Sequence, residues 1–210
     1  MRALVKLFLA SSNPGKLAEY RALVATIGRG VSDALEARAE IELLPGFDAM
    51  PSFEEDAPTF AENAAGKALH YSRLAKGAVF ADDSGLVVPA LGGAPGVRSA
   101  RYAGDHATDA ERIAKLLGEL HGKKGAERSA YFVCAIALGE RGRGTEIVTA
   151  RVDGEILEAP RGRGGFGYDP VFYFPDLNKT FAELLPEEKN RISHRGKAFR
   201  KLLESFANSE

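Results

Sequence analysis

The feature that most constrains the fold is an apolar run, ALVKLFLA, that passes directly into the polar turn SSNPGK at residues 11–16. Within that turn Asn13 is a favourable helix N-cap, and Pro14 suits the first helical position. Apolar side chains then recur at helical spacing until a glycine stops the pattern: Leu17, Tyr20, Val24, Ile27 and Gly28. The pattern predicts a buried strand that feeds a helix, which is the elementary unit of an α/β protein.

A lysine at the start of such a helix suggests a phosphate site, but not a P-loop. A P-loop needs a glycine six residues before the lysine and a Ser or Thr after it, and these positions hold Ala10 and Leu17. Ser11, Asn13 and Lys16 nevertheless fall where free backbone N–H groups and the helix dipole favour an anion. The stretch is either an anion cradle or an ordinary capped helix with a surface lysine.

The composition excludes several classes of function. With 28 Lys and Arg against 29 Asp and Glu, the net charge of −1 gives no electrostatic basis for binding nucleic acid. No apolar run reaches the ~18 residues of a membrane span, and the opening MRALVKLFLASS is read as a core strand rather than a signal peptide. The single cysteine, Cys134, excludes an intramolecular disulfide and fits a reducing compartment. We therefore expect a cytoplasmic globular protein that has neither nucleic acid nor a membrane as partner.

The rest of the chain mixes strand and helix patterns without strict alternation. A strand at Ile41–Leu44 and a polar loop precede a helix at Thr59–Lys76, which opens with the capping box Thr59 and Glu62. Three further patterns follow along the chain: a second capping-box helix at Thr108–Leu120, a β-hairpin of SAYFVCAIALG and EIVTARVDGEI around the turn ERGRGT, and a closing helix or pair of helices at Pro186–Phe206 with a weak point at Gly196. The 210 residues are enough for one large domain or two lobes that share a sheet, and we predict an α/β fold with a mixed sheet.

Acidic residues beside an apolar strand mark the first candidate site. Asp82 and Asp83 interrupt the short buried strand predicted for GAVFADDSGLVV. They come just after its apolar part and just before SG, so they are interpreted as strand-end carboxylates. Such carboxylates are ligands for Mg²⁺, or one of them is a general base for water. The alternative is an Asx-turn that closes the strand. The loop acids Glu54, Glu55 and Asp56 either add a metal ligand or are simply solvated.

A glycine-rich stretch, RGRGGFGYDP, frames Phe166, Tyr168 and Asp169. Closely spaced glycines carry an entropic cost, so they indicate a role for the loop. A flexible frame of this kind presents the Phe166 ring as a stacking surface for a base, with Asp169 as an acceptor for ring N–H groups. The alternative is a β-turn around a packed phenylalanine.

Two groups of hydrogen-bond donors complete the candidate residues. Asn63 and Lys67 lie four residues apart on or beside the apolar face of the Thr59–Lys76 helix. Polar groups there either line the edge of a cleft or snorkel to the surface, and we favour the cleft. Lys189, His194 and Arg195 fall close together in EEKNRISHRGKA. Dense donors suit an oxo-purine edge or phosphates. Alone, such a run is more typical of a solvated basic helix start.

Five stretches, in this order, resemble the inosine triphosphatase family: SSNPGK, TFAENAAGKA, ADDSGLVVPALGGAPGVRSARYAG, GGFGYDPVF and EEKNRISHRGKA. The resemblance spans nearly the whole chain. It implies a single domain over residues 1–210, with a two-lobed mixed α/β fold, a long twisted central sheet, helices on both sides and a cleft between the lobes. It further implies a homodimer and Mg²⁺-dependent hydrolysis of ITP, dITP and XTP to the monophosphate and pyrophosphate.

The resemblance also implies roles for particular residues. Asp83 resembles the metal-binding proton acceptor, Ser84 lies beside the substrate, and Glu55 resembles the second acidic metal ligand. The stretch resembling the triphosphate cradle is Ser11, Ser12, Asn13, Pro14, Gly15 and Lys16. The nucleoside-binding positions are Phe166, Gly167, Tyr168, Asp169, Lys189, His194 and Arg195. The stretch Val31–Glu40 is longer than is usual in the family, and we expect it to change the surface rather than the chemistry.

The mechanism implied is attack by water on the α-phosphorus with pyrophosphate as the leaving group. Mg²⁺ and Lys16 would neutralise phosphate charge, and Asp83 would orient or deprotonate the water. One alternative is a Maf-like pyrophosphatase for pyrimidine nucleotides. The aromatic and hydrogen-bonding residues between Phe166 and Arg195 argue against it. The other is a nucleotide-binding sensor that does not hydrolyse, against which Asp82 and Asp83 argue. The sequence leaves open how these two aspartates divide their roles.

Overall fold

A computed structural model of the chain describes residues 5–27 and 39–208. The predicted stop at Gly28 and most of the Val31–Glu40 stretch lie outside the described residues. The described part contains strands and helices in mixed order. The strands are β1 (Val5–Leu9), β2 (Ala39–Leu43), β3 (Ala78–Val87), β4 (Ser129–Glu140), β5 (Arg143–Ile156), β6 (Phe172–Phe174) and β7 (Lys179–Thr180). The helices are α1 (Pro14–Ile27), α2 (Phe60–Ser72), α3 (Asp109–Glu119), α4 (Pro186–Ile192) and α5 (His194–Asn208).

The described strands form one seven-stranded sheet in the order β2-β1-β3-β4-β5-β6-β7. The β1 strand pairs in parallel with β2 and β3, and every later pairing is antiparallel. The predicted mixed sheet is therefore confirmed. Among the described helices, none is long and apolar enough to cross a lipid bilayer.

Helices cover the sheet on both faces, as predicted. Successive side chains of a strand point to opposite faces, so neighbouring residues of β3 enter different layers. Phe80 packs with Tyr20 of α1 and Phe199 of α5, whereas Val79 packs with Ala64 of α2. A third cluster joins α3 to the β6–β7 end of the sheet. Because both of its faces are covered, β3 is buried along nearly its whole length.

The local sequence signals determine α3, β4 and β5 as predicted, and the start of α2 in part. Thr108 caps α3 and forms the full capping box with Glu111. The β4 and β5 strands form the predicted hairpin, and its turn residues Arg141 and Gly142 have φ of +51° and +76°. Left-handed φ at both central positions is the geometry that matches the twist of a tight hairpin. At Thr59 only part of the predicted box forms, because the Glu62 carboxylate accepts a hydrogen bond from the Thr59 hydroxyl and not from the Thr59 backbone N–H.

The α2 helix ends at Ser72, one turn before the predicted end at Lys76. The Ser72 hydroxyl donates to the Leu69 carbonyl and accepts the Gly142 N–H at 3.2 Å. The end of the helix is thereby tied to the turn between β4 and β5. A tertiary contact, rather than the Lys-Gly signal in the sequence, decides where this helix stops.

Asp82 and Asp83 lie inside β3, so the prediction that they follow the end of the strand is wrong. They pair with Ile136 and Ala135 of β4, and the strand continues to Val87. A strand tolerates two acids in its interior here because Asp82 is neutralised by cations and Asp83 faces a cleft, as described below. The Asx-turn alternative is excluded with it.

The C-terminal segment is a pair of helices that breaks at Ser193, not at Gly196. Ser193 has the extended angles φ −65° and ψ 157° and separates α4 from α5. Gly196 lies inside α5, where a Cβ would stand 1.9 Å from the carbonyl oxygen of Asn190 in α4. Gly196 is therefore the point where the two helices touch.

Gly196→Ala is expected to lower the free energy of unfolding by about 1–3 kcal/mol, the usual range for forced overpacking. Gly118→Ala is the matched control, because Gly118 is also helical and its Cβ would meet nothing within 4 Å. That control should stabilise the protein by about 0.4–1 kcal/mol. Urea unfolding followed by circular dichroism measures both variants. Equal effects of the two substitutions would show that the contact between α4 and α5 does not require glycine.

Candidate active site

A cleft of about 670 Å³ gathers the predicted site residues in one place. It lies between the N-terminus of α1, the middle of β3, the glycine-rich loop and the start of α5. Pro14 is the first residue of α1, and its backbone, but not its side chain, belongs to the described part of the chain. The other predicted site residues all line the cleft: Ser11, Ser12, Asn13, Gly15, Lys16, Glu55, Asp83, Ser84, Phe166, Gly167, Tyr168, Asp169, Lys189, His194 and Arg195. A second hollow of about 710 Å³ over β4 and β5 is lined by none of them.

The N-terminus of α1 forms one wall of the cleft. The Asn13 side chain caps the helix by accepting the N–H groups of Gly15 at 2.9 Å and Lys16 at 3.4 Å. Ser11 accepts the Asn13 N–H at 3.1 Å, so the turn is held by its own side chains. The predicted N-cap is confirmed. The Lys16 ammonium reaches across to β3 and lies 3.0 Å from Asp82 Oδ1.

Asp82 is a buried counter-ion. It is 0 % exposed and lies between the ammonium of Lys16 and the guanidinium of Arg195, whose Nε is 3.3 Å from Asp82 Oδ2. Burial opposes ionisation of the carboxyl, but the two cations outweigh it and hold the pKa of Asp82 well below its ordinary value. Asp82 is therefore charged throughout the physiological range.

Asp83 points to the opposite face of the sheet, as the strand period requires. Its carboxylate accepts the side-chain amide of Asn63 and the backbone N–H of Ser84, both at 2.9 Å. Burial raises the pKa of Asp83 from its ordinary 3.8 to about 6, and the Glu55 carboxylate adds to the effect while the Asn63 amide partly offsets it. Asp83 is thus a carboxylate whose charged form is disfavoured by its burial and by Glu55.

The α2 helix and the acidic loop meet beside Asp83. Lys67 forms an ion pair with Glu55, and the guanidinium of Arg101 donates to the Glu55 backbone carbonyl. Asn63 and Lys67 are one helical turn apart, so each holds one of the two cleft carboxylates. The predicted place at a cleft edge is confirmed for Lys67, which lines the cleft, whereas Asn63 is buried behind Asp83. The contacts from Lys67 and Arg101 fix the loop that carries Glu55.

Glu19 is a cleft-side residue that sequence reasoning missed. Its carboxylate pairs with Lys189 Nζ at 2.9 Å and with the guanidinium of Arg195. Lys189 also lies 2.6 Å from Asp169 Oδ2, and Arg195 donates to Ser84 Oγ at 2.9 Å. The only sequence signal was the spacing from Lys16, which puts Glu19 on the same face of α1. The donors predicted to read a base are oriented by this carboxylate.

His194 is buried and uncharged. Its ring stacks on Phe132 with a centroid separation of 4.7 Å and an interplanar angle of 12°. Burial lowers the pKa of His194 well below its ordinary value, and the neighbouring cations Arg195 and Lys189 lower it further. A neutral imidazole carries one donor and one acceptor nitrogen. His194 therefore does not act as a third cation beside Lys189 and Arg195.

The glycine-rich loop is packed rather than flexible, which corrects the expectation from the sequence. Gly164 donates to the Ala182 carbonyl at 3.0 Å, and a Cβ on Gly165 would stand 2.0 Å from Asp169 Oδ2. Close approach of the backbone is what these positions require of glycine. Phe166 is held in the cleft with the Lys189 ammonium 4.7 Å from its ring centroid.

Within the described ranges, no three His, Cys, Asp or Glu side chains are grouped so as to enclose a metal ion. Asp83 and Glu55 are two carboxylates that line one cleft, and the charge of Glu55 helps to raise the pKa of Asp83. Mg²⁺ is usually held by one or two carboxylates together with substrate phosphates and water. A pair of this kind fits such an ion, since a divalent cation relieves the repulsion.

Known proteins match this chain both in sequence and in fold. The sequence profile of the Ham1 family matches residues 7–205. The chain belongs to the Ham1 family. The predicted resemblance is thereby confirmed. The mixed α/β fold agrees with a HAM1 protein from Coxiella burnetii, whose structure matches with a TM-score of 0.83 at 42% identity over 98% of this chain and 100% of that one.

Two curated relatives of this Ham1 protein carry a functional name. The dITP/XTP pyrophosphatase of Geobacillus kaustophilus is 54% identical over 201 residues, which cover 96% of this chain and 94% of the relative. The dITP/XTP pyrophosphatase of Thermus thermophilus is 48% identical, with 96% and 92% covered. The chain therefore matches these relatives over almost their whole length.

The raised pKa of Asp83 predicts a pH dependence of stability in the metal-free protein. The unfolded chain ionises Asp83 near pH 3.8, but the folded protein does so only near pH 6. The favourable contribution of the protonated Asp83 carboxyl to the free energy of unfolding is complete below pH 3.8, and it is lost as the pH rises towards about 6. The loss amounts to about 3 kcal/mol, at 1.36 kcal/mol for each pH unit.

Urea unfolding in EDTA at several pH values, with wild type and Asp83→Asn compared, isolates this contribution. The difference in unfolding free energy, wild type minus variant, should fall from about pH 4 to about pH 6. Parallel pH curves for the two proteins would contradict the raised pKa.

Proposed function

We propose that this Ham1 protein hydrolyses purine nucleoside triphosphates with non-standard bases, namely ITP, dITP and XTP, to the monophosphate and pyrophosphate, and so removes them from the nucleotide pool. The observation that carries the proposal is the single cleft that holds a helix-terminus cradle, a carboxylate pair and an aromatic ring among oriented donors. The names of the curated relatives support the same substrates.

The triphosphate lies, in this proposal, against the N-terminus of α1. The positive end of the helix dipole attracts phosphate oxygens there. Lys16 and Lys67 both line the cleft and supply fixed positive charge to the leaving pyrophosphate. Each lysine is already paired with a carboxylate, Asp82 or Glu55, which holds its ammonium in place before the substrate arrives.

Asp83 is the residue proposed to act on the water. Its two oxygens are fixed by Asn63 and by the Ser84 N–H, so the carboxylate is aimed rather than mobile. A carboxylate with a raised pKa is a stronger base, and a general base works best when its pKa is near the operating pH. Asp83 would orient the water towards the α-phosphorus and accept its proton as pyrophosphate leaves.

Asp83 and Glu55 are also the residues that would hold Mg²⁺. The bound ion would supply charge neutralisation at the phosphate oxygens and lower the pKa of a bound water. Asn63 keeps Asp83 turned towards the cleft. Lys67 and Arg101 keep the loop that carries Glu55 against α2.

The base is proposed to stack on Phe166 and to be read by Lys189, His194 and Arg195. Hypoxanthine and xanthine present an acceptor oxygen at C6, whereas adenine presents an amino donor. Donors that are buried and already oriented reject a second donor strongly, because neither group finds a partner. Glu19 and Asp169 hold Lys189 on two sides, so this cation cannot turn away from a mismatched base.

Three properties implied by the family resemblance remain part of the proposal. They are one domain over residues 1–210, a homodimer and a cytoplasmic location. The buried free thiol of Cys134 is compatible with a reducing compartment. Light scattering of the purified protein tests the dimer.

The products of ITP, dITP and XTP test the proposed reaction. Incubation with Mg²⁺ should give the monophosphate and pyrophosphate in equal amounts, separated by ion-exchange chromatography, with ATP and UTP hydrolysed far more slowly. Diphosphate and orthophosphate would place the attack at the γ-phosphorus and overturn the mechanism. Preference for pyrimidine nucleotides would favour the Maf-like alternative, and tight binding without products would favour the sensor.

The two adjacent aspartates should respond differently to an isosteric amide. Asp83→Asn should fold normally and lower kcat by ~10²–10⁴, the usual effect of losing an acid–base group. Asp82→Asn should lower the unfolding free energy by about 3–5 kcal/mol, because Lys16 and Arg195 lose a buried counter-ion. Initial rates at saturating Mg²⁺ and urea unfolding measure the two effects. Near-full activity of Asp83→Asn would move the proton acceptor elsewhere.

A further inference from the structure

The turn that carries Phe166 does not itself provide an acceptor for the Gly167 N–H. Asp169 N donates to the Phe166 carbonyl at 3.2 Å and closes a four-residue turn. Gly167, at its first central position, has φ +62°, a left-handed conformation that favours glycine. The Gly167 N–H takes no part in the hydrogen bond that closes the turn. It needs an acceptor from outside the loop.

That acceptor is Asp109, the first residue of α3. Its Oδ2 accepts the Gly167 N–H at 2.7 Å, which is a short, charge-assisted bond. The other oxygen, Oδ1, is paired with the guanidinium of Arg112. Arg112 in turn donates to the carbonyls of Ala100, at 2.8 Å, and Ala107. The Asp109 carboxylate is therefore fixed on both of its oxygens.

The next residue of the turn is anchored to the same segment. The Tyr168 hydroxyl donates to the Ser99 carbonyl at 2.9 Å. Ser99 Oγ accepts the backbone N–H of Leu86, within β3, at 2.9 Å. Tyr168 is thus tied directly to Ser99, and Gly167 is tied to Ala100 through Asp109 and Arg112. Through Ser99 the turn is tied to the strand that carries Asp83.

We propose that Asp109 is a positioning residue for purine binding, which holds Gly167 and thereby keeps the Phe166 ring facing the cleft. The inference rests on the proposed function. Asp109 acts through the backbone of the loop and not on the reacting phosphate, so its loss weakens substrate binding more than it slows chemistry. Asp109 also lines the cleft, but its two oxygens are both engaged by protein donors.

Three variants test this role. Asp109→Ala removes the acceptor. Asp109→Asn keeps a carbonyl oxygen for the Gly167 N–H. Glu111→Ala is the matched control, because Glu111 also contributes negative charge and a cap to the first turn of α3. Hydrogen–deuterium exchange of the peptide that contains residues 164–170 and the kcat and KM for dITP are measured for each.

Asp109→Ala should raise exchange of that peptide at least ~10-fold and raise KM by ~10-fold, with kcat within about threefold of wild type. Asp109→Asn should restore most of both properties. Glu111→Ala should lower the melting temperature while its KM and the exchange of the loop stay at wild-type values. A stabilising role alone would make Glu111→Ala and Asp109→Ala behave alike.

Several results would overturn the inference. They are wild-type KM and loop exchange in Asp109→Ala, a fall in kcat without a rise in KM, or failure of Asp109→Asn to restore binding. If wild type releases no pyrophosphate from dITP, the proposed function is wrong instead, and loop exchange in the substrate-free protein then decides whether Asp109 holds the turn. If Asp109→Ala does not fold, Asp109→Ser replaces it, because its shorter, uncharged side chain also removes the carboxylate that accepts the Gly167 N–H, and the same rise in KM and loop exchange is expected.

Discussion

An alternating chain of charges holds the two walls of the cleft together. It runs Lys16, Asp82, Arg195, Glu19, Lys189 and Asp169, with each cation between or beside carboxylates. The six residues come from α1, β3, the glycine-rich loop, α4 and α5. Three positive and three negative charges balance within it. Removing one member would leave a buried charge uncompensated, which costs far more than the pair itself contributes.

This chain explains why the donors at the cleft are in place before any ligand arrives. Long Lys and Arg side chains lose much rotamer freedom when they are fixed, and binding normally has to meet that cost. Here Glu19 fixes Lys189 and Arg195 during folding, and Asp82 fixes Lys16. The cleft is therefore preorganised for an anion at one end and for hydrogen-bond acceptors at the other. Electrostatic selectivity of this kind depends on donors that do not rearrange.

The sequence predicted what local signals determine. The N-cap at Asn13, the capping box at Thr108 and the hairpin around Arg141 are encoded within a few residues, and each formed as predicted. The motifs also located the cleft residues, because their spacing and order are distinctive. Roles within the cleft are a different matter, since neither a motif nor a static arrangement measures chemistry.

What the sequence could not predict depends on partners far away along the chain. Two acids in a row indicate the end of a strand, yet β3 continues because Lys16 and Arg195 neutralise Asp82 from 66 and 113 residues away. Glu19 was not predicted, because its partners lie 170 and 176 residues further on. The glycines of the loop predict flexibility, but in the structure Ala182 and Asp169 pack closely against them. In each case a tertiary contact overrides the local preference.

The adjacent aspartates show how one strand produces two different acids. The alternation of side chains sends Asp82 towards α1 and α5 and Asp83 towards α2. One face supplies cations at contact distance, so Asp82 is ionised at every physiological pH. On the other face, burial and then the Glu55 carboxylate raise the pKa of Asp83 to about 6, although the Asn63 amide partly offsets them. Environments that push two pKa values apart assign separate tasks to identical side chains. A one-residue slip of β3 would exchange the two environments, which makes the β3–β4 register itself a requirement of the site.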